Sequence, residues 1–453
     1  MGTQSSYVED RLRSSYWFLP AVMLVGSAVL AAVMVAIDDH TDIENVRWLR
    51  TVIYSGSPDG AREVLGTIAA SMITVAGVVF SITIVSLQLA SSQFGPRMLA
   101  NFMRDRGNQI TLGTFVSAFL YSLLVLRAIR TDRPGDVPHV STTVAVLLAV
   151  AGLSVLIYFI HHISTAIQAP NLVDAIAQEL TLGVEHLFPD LDRVPNAVDG
   201  TDDRPLPQGF DENARRIDAN STGFVEVIDV ETLVQVARQH DLVVKLVVRA
   251  GRFVVDNTPF AYAYPADRVT DEVEEELAQT VITGARRTAV QDIEFPIKQM
   301  TEIAVRALSP AINDPFTANT CVDQASAGLC ALAGREFPST RILDATGHLR
   351  VVAGDPVTFG RVVGAAYDQI RQAASFHAPV YVHLLEALSR VAGCVVDPAR
   401  LQPLVNEGEL VLEAARRNVE AEADLRTIEK RYVGLQAAVR QARENAARQG
   451  AAD

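Results

Sequence analysis

The chain has little cysteine: three residues among 453, at Cys321, Cys330 and Cys394. A count that is odd and sparse argues against a disulfide framework, and no paired cysteines show the spacing of a zinc site. All three thiols lie in the C-terminal half, which therefore suits a reducing compartment such as the cytoplasm. No metal site is predicted.

The chain also lacks an excess of basic residues and any catalytic signature. Its formal net charge is −14, which argues against a nucleic-acid partner because phosphate backbones bind basic surfaces. No Walker loop, GxGxxG, GxSxG or HExxH pattern is present. We predict no catalytic residue and no cofactor, and the sequence leaves open whether the protein is an enzyme.

Formal charge is absent from long apolar stretches in the first 170 residues. One of them lies between Glu63 and Arg97, and a helix that crosses a bilayer needs about 20 mostly apolar residues. The four predicted spans cover residues 16–37, 64–96, 107–126 and 140–169. Residues 1–170 are therefore predicted to form a four-span transmembrane domain in contact with membrane lipid.

Span two is not uniformly apolar. At about 100° per residue, six polar side chains and two valines fall inside an arc of roughly 100°. These eight pore-lining candidates, which we name the span-two stripe, are Thr67, Ser71, Thr74, Val78, Ser81, Val85, Gln88 and Ser92. Lipid does not satisfy hydroxyl groups, so such a stripe should face other helices or water. In a pore, the two valines would form apolar rings that gate by dewetting.

The ends of the spans predict the topology. An even number of spans places both termini on one side, and Arg97, Arg104 and Arg106 favour the cytoplasm for that side. We predict a multi-pass protein of the bacterial inner (plasma) membrane with both termini cytoplasmic. The same arginines would lie at the cytoplasmic mouth of a pore and favour small anions. His161 and His162 end span four and are predicted to be interfacial, with a proton relay as the alternative.

Beyond residue 170 the chain becomes charged and reads as soluble sequence. The predicted segments are a helix and polar linker at 171–220, a small β-rich module at 221–267, a helical cytoplasmic domain at 268–400 and a charged C-terminal helix at 401–453. The last helix suits a solvated surface or a coiled coil between subunits. The predicted fold class is an α-helical membrane protein with four transmembrane helices followed by a mixed α+β, mainly helical soluble domain.

Residues 307–317 read ALSPAINDPFT and predict a tight corner between two helices. Asp314 suits the N-cap of the second helix, with Pro315 in its first turn. Asn313 tolerates the left-handed conformation that such a corner needs. The alternative is that Asn313 and Asp314 bind a cation or a partner, although one carboxylate is too few for a calcium cage.

Two motifs carry a family resemblance. Residues 73–99, ITVAGVVFSITIVSLQLASSQFGPRML, together with residues 307–324, ALSPAINDPFTANTCVDQ, resemble a family of uncharacterised bacterial inner-membrane proteins, a predicted-membrane-protein domain of unknown function. The resemblance extends from span one to about residue 392. It implies a multi-pass membrane protein with a cytoplasmic C-terminal domain, and it implies no activity.

Three functions remain open at this point. One is a channel for small ions, built as a homo-oligomer around span two. Another is a membrane-anchored regulatory or scaffold protein whose cytoplasmic domain binds a partner and whose stripe only packs helices. The third is a membrane-embedded enzyme. No ionisable residue lies in a predicted span core, which disfavours a proton-coupled transporter.

Overall fold

The chain folds into two compact units, Met1–Asn171 and Leu172–Asp453. The computed structural model describes residues 17–40, 54, 56–95, 105–129, 138–166, 168–188 and 204–449. We describe each unit by itself.

Four long helices make up the described part of the N-terminal unit. They are α1 (Phe18–His40), α2 (Pro58–Phe94), α3 (Arg106–Ala128) and α4 (His139–Ala166). All four are long and apolar enough to cross a membrane, which confirms the predicted spans. Helix α2 begins earlier than predicted because Ser57 caps it: its Oγ accepts a hydrogen bond from Gly60 N–H at 3.2 Å, and Pro58 occupies the first turn.

Helix α3 lies at the centre of this unit. It packs against α1, α2 and α4, and 50 % of its apolar stretch is buried, against 28 % or less for the other three helices. Phe115, Tyr121 and Val125 fill the space between the helices. Helix α2, which contains predicted span two, therefore packs on one side of α3.

Helix α5 (Ala169–Leu187) follows α4 in the chain and includes the boundary between the two units, and the C-terminal unit then forms two sheets. The strands are β1 (Arg215–Asp218), β2 (Gly223–Ile228), β3 (Val243–Leu246), β4 (Phe253–Val254), β5 (Pro259–Tyr264), β6 (Val281–Gly284), β7 (Arg341–Leu343) and β8 (Leu349–Ala353). The larger sheet has the order β1-β5-β3-β8-β7, and the smaller has the order β4-β2-β6. Only the β3–β8 pair is parallel among these described strands.

The sheets extend beyond the β-rich module that we predicted at 221–267. Strand β1 precedes that range, and β6, β7 and β8 follow it. The reason is long-range pairing: Val244 on β3 lies opposite Val351 on β8, and local alternation of apolar residues does not reveal such a partner.

Helices cover the sheets and form the rest of the unit. They are α6 (Phe210–Asn213), α7 (Val230–Gln239), α8 (Asp271–Gln279), α9 (Glu294–Ala307), α10 (Pro315–Ala333), α11 (Phe359–Ala373) and α12 (Ala378–Cys394). Leu233 on α7 and Leu277 on α8 are buried in one core with Val244 and Phe260 from the larger sheet. Helices α9 to α12 pack on one another and bury Tyr367 and Tyr381.

The charged C-terminal segment forms two helices, α13 (Leu401–Asn418) and α14 (Glu422–Gln449). The prediction of a single helix over this segment is therefore wrong. The chain is extended at Val419 and turns back, which places Arg416 against Glu429 at 2.7 Å. Leu435 of α14 packs over Gly408 of α13. Burial of apolar side chains between the two helices stabilises the hairpin, although no glycine or proline marks the turn.

Candidate functional site

One face of α2 packs inside the N-terminal unit, against α3 and α4. Its buried residues recur every three or four positions, as one face of a helix requires. They are Ala61, Leu65, Ala69, Met72, Ala76, Val79, Thr83, Ser86, Ala90 and Phe94. The small side chains on this face allow close helix packing. This recurrence of small residues is a sequence signal for the packed face, and the pattern of polar residues alone does not reveal it.

The span-two stripe lies on the outward side of the same helix. All eight of its residues are exposed in the subunit. Val78 is 51 % exposed and Val85 is 64 % exposed. The stripe is therefore not what holds α2 against its neighbours within one chain.

Side-chain hydrogen bonding separates the stripe into two groups. Thr74 Oγ1 donates to the carbonyl of Ala70 at 2.7 Å, and Ser92 Oγ donates to Leu89 O at 2.8 Å. Such bonds to the preceding turn allow a hydroxyl group to face lipid. The other four polar members form no side-chain hydrogen bond with any residue that the structure describes: Thr67, Ser71, Ser81 and Gln88.

The outward faces of α1 and α4 are different. Between Phe18 and Ile37, every exposed residue of α1 is apolar or glycine, and its one serine, Ser27, is buried. Between residues 146 and 160 of α4, the exposed polar residues are Ser154 and Tyr158, and Ser154 bonds back to Val150 O at 3.2 Å. These two faces suit hydrocarbon, whereas the outward face of α2 carries six polar side chains.

One end of the bundle carries a hydrogen-bonded pair between the start of α3 and the end of α4. His162 Nε2 lies 2.7 Å from Asp105 Oδ2, and Asp105 also caps α3 by accepting a hydrogen bond from Gly107 N–H. The His162 ring stacks on Tyr158, while His161 is exposed. Of the three arginines predicted at the mouth, Arg106 is exposed next to Asp105. Arg97 and Arg104 lie outside the described residues.

At the opposite end of the bundle, Asp38 bonds to the start of α4. The sequence did not predict this contact. The Asp38 carboxylate accepts hydrogen bonds from Val140 N–H and Ser141 N–H at 2.9 Å each, and from Ser141 Oγ at 2.6 Å. Asp38 is near the end of α1, and both donors are at the start of α4. One carboxylate therefore joins two helices and satisfies amide groups that a helix start leaves unpaired.

The corner at Asn313, Asp314 and Pro315 lies in the C-terminal unit. Asn313 has a φ of 53°, and Asp314 Oδ1 accepts hydrogen bonds from Phe316 N–H and Thr317 N–H at 3.1 Å each. Pro315 occupies the first turn of α10. Phe316 is 82 % exposed, so this capped corner presents an aromatic ring to solvent.

The histidine, cysteine and acidic residues do not come together as a metal site. Among the residues that the structure describes, no group of three or more of them could hold a metal ion. The thiols of Cys330 and Cys394 both donate to the carbonyl of Arg390. Burial raises the pKa of Cys321 to about 12, so this residue stays a neutral thiol at physiological pH.

Comparison with known proteins adds a family and two relatives. The family model described as "Predicted membrane protein (DUF2254)" matches residues 13–390. The uncharacterized proteins Rv1290c of Mycobacterium tuberculosis strain H37Rv and Mb1321c of Mycobacterium bovis are each 33 % identical over 426 residues, which is 92 % of this chain and 79 % of each relative. No solved structure matches. The family match includes both the span-two stripe and the corner at Asp314.

Proposed function

The chain belongs to the family of predicted membrane proteins that its two motifs resemble, and from this premise we propose that it is an oligomeric channel in which α2 lines a central pore. The observation that carries the proposal is the outward position of the span-two stripe. Its polar side chains lie on the side of α2 that faces away from the rest of the subunit. Four of them have no hydrogen-bond partner among the described residues. Neighbouring copies and water would supply those partners.

The oligomer follows from the same geometry. Four helices in one subunit enclose no path along α2, because the stripe points away from α1, α3 and α4. A ring of copies would bring their stripes to a common axis and bury polar groups that lipid does not solvate. The apolar faces of α1 and α4 would remain outside in contact with lipid.

The gate in this proposal consists of the two valines in the stripe. Val78 and Val85 are separated by seven residues, so they face the same direction two turns apart. Rings of valine side chains in a narrow pore exclude water and stop ion flow. No charged residue lies in the stripe, so ion selectivity would depend on the mouth, where Arg106 favours anions.

Planar bilayers containing the purified protein test this function, with Val85→Ser compared with the wild type. A hydroxyl group at the constriction should increase open probability or conductance because it wets the pore. Val25→Ser is the matched control: Val25 is 63 % exposed on α1, and Val85 is 64 % exposed on α2. Absence of current from the wild type and Val85→Ser, or an equal response to both substitutions, would refute the pore.

We further propose that both termini are in the cytoplasm and that the membrane is the inner membrane. The His162–Asp105 contact joins the end of α4 to the start of α3, and the Asp38 contact joins the end of α1 to the start of α4, as expected for spans that alternate in direction. Alkaline phosphatase fused after Asp453 should be inactive because it folds only in the periplasm. The same enzyme inserted between residues 41 and 53 should be active, and the reverse pattern would overturn the orientation.

A scaffold remains the second candidate because of the corner at Asp314. Phe316 and Ile312 are 82 % and 42 % exposed, and an exposed aromatic ring at a capped helix start suits a contact with a partner protein. A protein that is monomeric in lipid nanodiscs and carries no current would favour this function over the channel.

A further inference from the structure

A cluster of charged side chains occupies the C-terminal unit between its smaller sheet and two helices. It contains five cationic side chains: Arg249, Arg252, Arg287, Lys298 and Arg361. Three carboxylates hold them together: Asp292, Glu294 and Asp355. We name this group the basic cluster. Its excess of positive charge contrasts with the net charge of −14 for the whole chain.

Glu294, the first residue of α9, is the centre of the basic cluster. Its side chain is 2 % exposed, and its Oε1 lies 2.9 Å from both Arg249 Nη2 and Arg361 Nε. Its Oε2 lies 3.0 Å from Lys298 Nζ and 3.8 Å from Arg287 Nη2. Four cations from separate segments of the chain therefore converge on one buried carboxylate.

Asp355, which follows β8, pairs with Arg252, the one cation of the cluster that does not contact Glu294. Its Oδ2 lies 3.0 Å from Arg252 Nη2 and 3.3 Å from Arg249 Nε, and its Oδ1 lies 2.7 Å from Arg361 Nη1. Asp292 pairs with Arg287. Each cation thus shares a carboxylate with another, so all five lie within a single small region.

The pKa shifts of two buried glutamates differ because their charged neighbours differ. The Glu294 and Glu407 side chains are 2 % and 5 % exposed. Burial raises the pKa of Glu407 to about 7, since Arg371 opposes it only in part. Burial acts in the same direction on Glu294, but Arg249, Lys298 and Arg361 outweigh it and lower the pKa. The cations around Glu294 therefore keep its buried carboxylate ionised.

The backbone holds the cluster in a fixed arrangement. The loop that carries Arg249 and Arg252 is bonded to β2, with Gly251 N–H donating to Val225 O at 2.7 Å and Val225 N–H donating to Arg252 O at 2.8 Å. Gly251 has a φ of 81°, and a Cβ atom there would lie 1.9 Å from Asp292 Oδ2. Only glycine allows this close approach, so the contact with Asp292 fixes the backbone of the loop between Arg249 and Arg252.

The cluster has more donors than its own carboxylates can use. Four guanidinium groups and one ammonium group offer about 23 N–H donors, against about 12 acceptor positions on three carboxylates. Arg249 Nε lies 3.3 Å from Asp355 Oδ2 without hydrogen-bond geometry, and both this buried nitrogen and Glu294 Oε1 lack a hydrogen bond to a described residue. Three of the cations also reach solvent: Arg252 is 51 % exposed, Lys298 is 41 % exposed and Arg361 is 32 % exposed.

We propose that the basic cluster is a binding site for a phosphate-class oxyanion, with Arg252, Lys298 and Arg361 as the groups that contact it. Guanidinium groups bind phosphate oxygens through paired hydrogen bonds, and a preformed set of them needs little reorganisation. Small phosphates and phospholipid headgroups share this chemistry. The site is independent of the pore, because it lies entirely in the C-terminal unit.

Calorimetry with the full-length protein in detergent tests this site, with inorganic pyrophosphate and soluble dihexanoyl-phosphatidylglycerol as the two probes. Sodium chloride at equal ionic strength controls for screening. Arg252→Gln and Lys298→Gln should each weaken binding about tenfold, as the loss of one charge-assisted hydrogen bond predicts. Both side chains are well exposed, so the variants should keep the elution profile of the wild type in size-exclusion chromatography.

Arg416→Gln is the matched control. Arg416 is 58 % exposed and pairs with one carboxylate, Glu429, on the hairpin of α13 and α14, so its loss should leave binding unchanged. Binding of pyrophosphate identifies a small phosphate ligand, and binding of the phospholipid alone identifies a headgroup. If neither probe binds, or if Arg416→Gln weakens binding as much as Arg252→Gln, the cluster is only a structural ion-pair network and the proposal is wrong.

Discussion

The two units of the chain differ in the kinds of polar side chain that they contain. In the N-terminal unit, hydroxyl groups bond to the preceding turn of their own helix, as Ser122 does to Ala118 O at 2.8 Å. In the C-terminal unit, charged side chains pair with each other, as Arg371 and Glu407 do at 2.9 Å. Water solvates whatever such pairs leave exposed, whereas hydrocarbon offers no partner at all. An unpaired polar group therefore has a different meaning in each unit.

In the C-terminal unit, an exposed polar group needs no explanation. In a membrane helix, it indicates a neighbour that the isolated subunit lacks. Ser71, Ser81 and Gln88 are the clearest cases, because they are exposed on α2 and have no hydrogen-bond partner among the described residues. In the proposed channel, another copy or water supplies that partner.

Replacement of the polar side chains on α2 should break the oligomer. The variant combines Ser71→Ala, Thr74→Val, Ser81→Ala and Gln88→Leu, which leaves the buried face of α2 unchanged. Hydrogen bonds between membrane helices contribute about 0.6 kcal/mol each, so the loss of four per subunit, about 2.4 kcal/mol, should weaken assembly about fiftyfold. Mass photometry in nanodiscs measures the fraction of oligomer.

The control for this experiment is on α1, where Val22→Ala, Val25→Ala and Val29→Ala alter a face that suits lipid. That variant should assemble like the wild type. A monomeric wild type, or an α2 variant that assembles as well as the wild type, would show that the outward face of α2 contacts lipid. Unpaired polar groups on α2 would then not indicate a neighbouring subunit.

Removal of the carboxylate at Asp38 should give the second largest effect. Asp38→Ala leaves two amide groups and one hydroxyl group at the start of α4 without an acceptor, where little water reaches them. We expect a loss of about 2 kcal/mol in the free energy of unfolding. Asp39→Ala is the control, because Asp39 is exposed. Thermal unfolding in detergent compares the two variants, and equal midpoints would show that Asp38 contributes nothing.

Local sequence patterns predicted the helices whose ends depend on adjacent residues. Helix α10 begins at Pro315 because Asp314 caps it, and both residues are next to each other in the chain. The cap at Asp38 was not predictable in this way, because its donors lie more than 100 positions away. The break at Val419 has no glycine or proline to mark it, and it exists because α13 and α14 pack on each other.

The same distinction applies to the candidate site. Helical periodicity was enough to gather the span-two stripe on one face, but periodicity does not tell which face packs inside the subunit. That depends on Ala61, Ala69 and Ala76, whose small side chains let α2 approach α3. The basic cluster was not predictable from the sequence, because Arg249, Glu294 and Arg361 are far apart in the chain and come together only in the folded unit.

Removal of the cap at Asp314 should have the smallest effect. Its loss of unfolding free energy can be compared directly with the loss caused by Asp38→Ala in the other unit. Asp314 caps α10 where its side chain is partly exposed, so water can replace the carboxylate as acceptor for Phe316 N–H and Thr317 N–H. Asp314→Ala should therefore reduce the free energy of unfolding by about 1 kcal/mol, less than Asp38→Ala does. Asp314→Asn and Asp314→Ser keep an oxygen in the capping position and should be nearly neutral. Urea unfolding followed by circular dichroism measures all three variants. If Asp314→Asn is as harmful as Asp314→Ala to the binding of a partner while the fold is intact, the charge itself is needed and the residue is a ligand rather than a cap.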